Sequence, residues 1–252
     1  MNAGSDGILD VHDPSGRLCG RYHYADPYKS FFRGLCTPKG ADVVSPPPED
    51  HPHHKGLQYG LCAEDVNFWE EDAQNEPAHR RIGRQITEKL ERLAAGFSQA
   101  IVWRDDVCVS FRETRNVSVQ PAGSGYVWSW QTALTAERDV NLVVSAWPQR
   151  GGYCGLGLRL VPELFLKKSK VTLVPASGGV VQSVRVQGTT AALTFEQNTQ
   201  FQHDVLYIQG CDPDSQDNFA FVSLGPTNGA PRTVKKGETL NGSYRITVAD
   251  VI

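Results

Sequence analysis

The chain contains 252 residues, of which 40% are hydrophobic and 21% are charged, and its formal net charge at pH 7 is −3. This composition predicts a globular protein with a sizeable core. The basic residues do not cluster beyond short pairs, so we expect no nucleic-acid partner. No apolar run approaches the ~20 residues of a membrane-spanning helix, so we expect no membrane partner either.

The N-terminus and the cysteines favour a cytoplasmic location. Residues 1–7 lack the apolar region of a secretory signal. The six cysteines are scattered and form no CxxC pair, which favours reduced thiols over a structural zinc site.

The first distinctive region in chain order is residues 24–56, which alternates poorly and is rich in proline and glycine. We predict an irregular arm here that delivers the segment at its end to a rim or cleft, because long ordered loops are usually functional. That end is the sequence Asp50-His51-Pro52-His53-His54-Lys55, which holds three of the seven histidines.

Clustered imidazoles beside a carboxylate are suited to proton transfer or metal binding near neutral pH. If the segment is extended, His51 and His53 share one face and His54 points to the other. The residues that follow add an amide, an indole and carboxylates, in Asn67-Phe68-Trp69-Glu70-Glu71. Trp69 is either a platform for a sugar ring or a core residue, and Asn67 is either a hydroxyl ligand or a turn residue.

The rest of the chain shows short alternating segments separated by glycine and proline, which is typical of antiparallel strands. We predict that residues 82–93 form a long strand rather than a helix and turn at 94–96 into a strand at 98–103. Further strands are predicted at 107–114, 126–132, 180–186, 191–195 and 244–248. The expected fold is all-β, with one antiparallel β-sandwich domain over residues 1–252. Open sheet edges make a homodimer an option.

Three more distant residues are candidates for substrate binding. Arg159 follows a glycine-rich bend and could clamp a carboxylate or a pair of hydroxyls, or form a structural salt bridge. Tyr153 lies within the same bend, and His203 stands beside Asp204.

The arm and the histidine segment resemble the bacterial PmoA-like family, labelled "methane oxygenase PmoA". The resemblance rests on Tyr22-His23-Tyr24, Pro27 to Phe32, Thr37 to Gly40, the DHPHHKGL core at 50–57 and Val66 to Trp69. It covers about two-thirds of the chain, and it implies a role in carbohydrate metabolism rather than membrane methane oxidation, since no membrane helix is present.

A fainter similarity, at 234–240 and 244–248, is to the closing hairpin of aldose-1-epimerase-like proteins. It implies a galactose mutarotase-like supersandwich that binds sugars in an open cleft. The strand at 219–224 has no acid where that family carries its catalytic glutamate, which argues against ordinary mutarotation.

We therefore predict an enzyme that acts on a sugar or a related polyhydroxylated or carbonyl compound by general acid/base chemistry: epimerisation, elimination or hydrolysis. His53 and His54 transfer protons with Glu70 as partner, and the predicted substrate-binding residues are His51, Lys55, Asn67, Trp69, Tyr153, Arg159 and His203. No cofactor is predicted. One alternative is a metal-dependent enzyme, with Fe, Cu or Zn held by His51, His53 and either His203 or a carboxylate, and another is a non-catalytic carbohydrate-binding module.

Overall fold

The computed structural model describes residues 7–49, 51–74, 76, 78–144, 154–164, 170–175, 181–197, 205–209, 220–227 and 230–251. In these residues the chain forms strands and a single 3-10 turn, Pro162–Leu164. In chain order the strands are β1 (Ile8–His12), β2 (Leu18–His23), β3 (Phe31–Arg33), β4 (Leu57–Gly60), β5 (Val66–Asn67), β6 (Arg81–Ile82), β7 (Arg84–Leu93), β8 (Gly96–Arg104), β9 (Val109–Ala122), β10 (Gly125–Ala136), β11 (Val140–Leu142), β12 (Gly155–Arg159), β13 (Lys170–Pro175), β14 (Val181–Gln187), β15 (Ala191–Gln197), β16 (Val205–Gln209), β17 (Phe221–Gly225), β18 (Arg232–Val234) and β19 (Thr239–Asp250).

Two large antiparallel sheets dominate the described part of the chain. One has seven strands in the order β1-β2-β3-β4-β12-β17-β16, and the other has eight in the order β13-β14-β15-β19-β10-β9-β8-β7. Two small pairs, β11-β18 and the parallel β5-β6, complete the described strands. The prediction of an all-β fold built from antiparallel sheets is confirmed. The prediction that residues 1–252 form one domain stays a prediction.

The alternating segments form strands because alternate side chains are buried in the core. Along β9, Phe111, Glu113, Arg115, Val117 and Val119 are buried while the residues that alternate with them are exposed. The β9–β10 hairpin closes at Gly123, whose φ of +57° suits a residue without a Cβ. The predicted strand at 82–93 is also confirmed, since β7 pairs with β8 across a tight turn.

The core contains charged groups as well as apolar ones. On the buried face of β9, the Arg115 guanidinium donates to both carboxylate oxygens of Glu113, each at 2.8 Å. Trp103 and Thr132 donate to the same carboxylate, and the guanidinium lies 4.7 Å from the centroid of the Trp130 ring. Such a pair tolerates burial because both ions are paired and hydrogen-bonded.

One face of the seven-stranded sheet points away from the hydrophobic core. On β12 and β17 the side chains of Leu158, Val222 and Leu224 join the hydrophobic core. The intervening residues, which include Arg159 and Phe221, lie on the opposite face because strand side chains alternate. The candidate site lies on this outer face.

The arm at 24–56 contains one short strand, β3, which pairs with β2 and β4. The prediction of an irregular arm missed this strand, because three residues are too few to show a period. In the described residues no helix has the length and apolar character needed to cross a bilayer. The described cysteines are all free thiols, and Cys211 lies outside the described residues.

Candidate functional site

The histidine segment is a turn rather than an extended strand. The backbone N–H of His54 donates to the carbonyl of His51 at 3.0 Å, and the residues between them form the turn. The prediction that His54 points away from the other two rings was therefore wrong. The ring centroids are 5.6 Å apart for His51 and His53, 5.2 Å for His51 and His54, and 4.4 Å for His53 and His54. The turn brings all three imidazoles together.

Among the described residues, His53 and Glu70 form an ionisable pair in which the imidazole and the carboxylate are in direct contact. The His53 Nδ1 atom lies 3.0 Å from the Glu70 Oε2 atom, and the two residues are 6% and 2% exposed. A carboxylate on Nδ1 orients an imidazole and favours its protonated form. The predicted partnership between these side chains is thus present as a direct contact.

Asn67 shapes the segment that presents Glu70. Its Oδ1 atom accepts hydrogen bonds from the backbone N–H groups of Trp69, at 2.7 Å, and Glu70, at 3.1 Å. Its amide nitrogen donates to Glu76, which in turn binds Arg80 at 2.8 Å. Asn67 is fully buried, so in this arrangement it acts as a turn residue.

His54 is held as a neutral imidazole. Its ring stacks on Phe221 with centroids 5.2 Å apart, and the residue is 6% exposed. Burial, followed by the nearby charges of His53, His51, Arg159 and Lys29, lowers the pKa of His54 well below its usual value of 6.5. Both ring nitrogens are buried, and within the described part of the chain neither has a hydrogen-bond partner.

Lys29 is a site residue that the sequence analysis missed. Its ammonium group is buried, and it donates to the backbone carbonyls of Trp69 and, at 3.4 Å, His53, while lying 3.1 Å from Glu71 Oε1. It thereby joins the histidine turn to the segment that carries Glu70. Burial lowers the pKa of Lys29, and the charge of Glu71 opposes this effect. No spacing rule singles out one lysine among the chain's basic residues.

The remaining cations and carboxylates form an ion network at the edge of the site. Lys55 lies 2.6 Å from Asp26 Oδ2 and 2.9 Å from Glu71 Oε2, and its side chain is 15% exposed. The residue that was predicted to bind substrate thus lies beside the histidine turn and is already engaged with two carboxylates.

Trp69 and Arg159 both lie beside Phe221, the residue on which the His54 ring stacks. The Trp69 ring is 1% exposed, meets Phe221 edge-on at 5.8 Å, and packs so closely on Gly60 that a Cβ there would lie 2.6 Å from it. This is the packing of a buried structural residue rather than of an exposed platform for a sugar ring. Arg159 ends β12, is partly exposed, and pairs in register with Phe221.

Tyr153 and His203 lie outside the described residues, as does Asp50. The predicted substrate role of the first two, and the metal alternative that uses His203, therefore stay predictions. Among the residues that the structure describes, no group of three His, Cys, Asp or Glu side chains is arranged to hold a metal ion.

A family model described as a family of unknown function, DUF6807, matches residues 12–251. The prediction of the PmoA-like family was therefore wrong, because the family model that matches nearly the whole chain is DUF6807. No curated protein matches the chain in sequence.

Solved structures resemble the chain at low identity. The GH36 α-galactosidase AgaA from Geobacillus stearothermophilus is 10% identical with a TM-score of 0.52, over 96% of this chain and 40% of AgaA. AgaB from the same organism is 9% identical with a TM-score of 0.52, over 100% of this chain and 40% of AgaB. A galactose mutarotase-like protein from Clostridium acetobutylicum is 10% identical with a TM-score of 0.43, over 97% of this chain and 98% of that protein. The chain thus spans well under half of each α-galactosidase, and the likeness to the two concerns the fold alone.

Proposed function

The chain belongs to the DUF6807 family of unknown function, and we propose that it is an enzyme acting on a sugar or a related small polyhydroxylated compound by general acid/base chemistry. The observation that carries this proposal is the 3.0 Å contact between His53 Nδ1 and Glu70 Oε2 beside a second, neutral imidazole. The sugar class is supported by the likeness of fold to AgaA and AgaB, which are α-galactosidases.

The two imidazoles are suited to different tasks because their surroundings differ. The carboxylate of Glu70 stabilises a positive charge on His53, so His53 is the residue that takes up a proton through Nε2 while Nδ1 faces Glu70. Burial and neighbouring charges keep His54 uncharged. Two titratable groups in such different surroundings are the usual basis for dividing acid and base roles.

In this arrangement Glu70 orients and charges the base rather than acting as the base itself. His53 removes a proton beside a carbonyl group or from a water molecule, and His54 donates a hydrogen bond to an oxygen atom of the substrate. Epimerisation, elimination and hydrolysis each need such a step. The proposed site uses no metal and no other cofactor. The cytoplasmic location and the homodimer stay predictions.

The test is to incubate the protein with a panel of aldoses, ketoses, sugar acids and glycosides and to monitor turnover by proton NMR in D2O. In this assay, removal of a carbon-bound proton appears as deuterium incorporation. We expect turnover by the wild-type protein and a loss of about 10²- to 10⁴-fold in His53→Gln. His12→Gln, on the exposed end of β1, is the matched control and should retain full activity.

Two outcomes would favour the alternatives. Sugar binding that is unchanged in His53→Gln and Glu70→Gln, with no turnover of any compound, would indicate a carbohydrate-binding module. Stoichiometric iron, copper or zinc in the purified protein, lost in His53→Ala, would indicate the metal-dependent enzyme.

A further inference from the structure

We propose that the compound bound at this site is a sugar acid, whose carboxylate lies between the Arg159 guanidinium and the His54 ring. This inference rests on the proposed function and adds the substrate class to it. The Arg159 and His54 side chains both lie at the outer face of the seven-stranded sheet. Arg159 pairs in register with Phe221, and the His54 ring stacks on Phe221. Guanidinium and imidazole therefore border the same region.

The charges around His54 favour an anion. Apart from burial, the strongest influences on His54 come from His53, His51, Arg159 and Lys29, which are all cations or become cations on protonation. The described carboxylates beside them are already paired. Glu70 faces His53 at 3.0 Å, and Glu71 faces Lys29 at 3.1 Å and Lys55 at 2.9 Å. These acids offset the charges of their own partners, so the positive charge that would attract a substrate carboxylate beside His54 is that of the Arg159 guanidinium.

The His54 ring also lacks hydrogen-bond partners. Both of its nitrogens are buried without a partner among the described residues, and an unsatisfied buried polar group costs about 1–3 kcal/mol. A carboxylate accepts a hydrogen bond from the imidazole N–H, and it matches the forked donors of a guanidinium. A neutral sugar hydroxyl could satisfy the imidazole, but it would gain much less from the forked donors and the charge of the guanidinium.

The experiment compares matched ligands by isothermal titration calorimetry. D-galacturonate and D-glucuronate are titrated against their methyl esters, against D-galactose and D-glucose, and against the 6-phosphates of the two sugars. We expect at least one acid to bind about 10-fold or more tightly than its ester. Arg159→Gln should lower the affinity for that acid by about 10- to 100-fold and leave that for the ester within about twofold.

The matched control is Arg21→Gln, because Arg21 is an exposed arginine on β2 that pairs with Asp10 at 3.1 Å. It should leave both affinities unchanged. Arg159→Lys keeps the charge and loses the fork, so its affinity for the acid should lie between those of the wild type and Arg159→Gln.

The inference and the proposed function fail differently. Tighter binding of the neutral sugars or of the phosphates, or an unchanged affinity for the acid in Arg159→Gln, overturns the sugar-acid inference and leaves acid/base catalysis standing. Binding of the acid without turnover upholds the inference and overturns the proposed function. No binding of any of these ligands to the wild-type protein contradicts the sugar-acid inference.

Discussion

The His53 Nδ1 atom contacts the Glu70 Oε2 atom at 3.0 Å, although the whole of β4 (Leu57–Gly60) and β5 (Val66–Asn67) separates the two residues along the chain. The contact exists because Lys29, from the beginning of the arm, donates to the backbone on both sides of it, and because Asn67 caps the turn that leads to Glu70. The site is therefore assembled from three segments.

The first prediction concerns this contact. His53→Gln and Glu70→Gln should each lower kcat/KM, by about 10²- to 10⁴-fold and about 10- to 10²-fold respectively. The double variant should be no worse than His53→Gln alone, because residues that act as a unit have non-additive effects. The measurement is a double-mutant cycle on the substrate found in the panel. Additive losses would mean that Glu70 does not act through His53.

The second prediction concerns His54 and pH. Because burial lowers its pKa in the folded protein below the ordinary value of 6.5, the unfolded chain binds a proton at this ring that the folded protein does not. The contribution of His54 to the free energy of unfolding should therefore be present above pH 6.5 and decline as pH falls below it, by at most about 1.4 kcal/mol per pH unit.

The measurement is urea unfolding of the wild-type protein and His54→Gln between about pH 7.5 and pH 5, where a single imidazole titrates. The free energy of unfolding of the wild-type protein should fall relative to that of His54→Gln as the pH drops below 6.5. A difference that does not change with pH would show that His54 titrates normally in the folded protein.

The third prediction concerns Lys29. Lys29→Met leaves two backbone carbonyls without their donor and Glu71 with only Lys55, and it should lower the free energy of unfolding by about 2–4 kcal/mol. The control is Lys235→Met, whose ion pair with Asp139 is exposed and should contribute about 0–1 kcal/mol. Equal effects of the two substitutions would show that the Lys29 contacts do not stabilise the fold.

The fourth prediction concerns the ion pair in the core. Glu113→Gln keeps the shape of the side chain but leaves the Arg115 charge buried without a counter-ion, so the free energy of unfolding should fall by about 3–5 kcal/mol. Glu88→Gln is the matched control, because Glu88 pairs with Arg112 at 3.1 Å on the surface. A loss in Glu113→Gln as small as in Glu88→Gln would contradict the account of this pair.

Part of the site could be anticipated from the sequence. The concentration of His51, His53 and His54 near Glu70 indicated proton-transfer chemistry by residue type alone, and Glu70 proved to be the partner of His53. The role of Lys29 could not be anticipated, because its contacts are with backbone carbonyls 24 and 40 residues away. The burial of Asn67 and Trp69 likewise depends on the strands that cover them.

The sequence by itself determined the all-β character, since the alternation of apolar and polar residues is local and directly reports which side chains face a core, as in β9. Only the tertiary structure decided that the three imidazoles converge, because that depends on a turn closed by one backbone hydrogen bond from His54 to His51. It also decided the protonation of His54. The pKa of His54 follows from the burial and charges contributed by Arg159 and Lys29, which are distant in sequence and adjacent only after the sheets have formed.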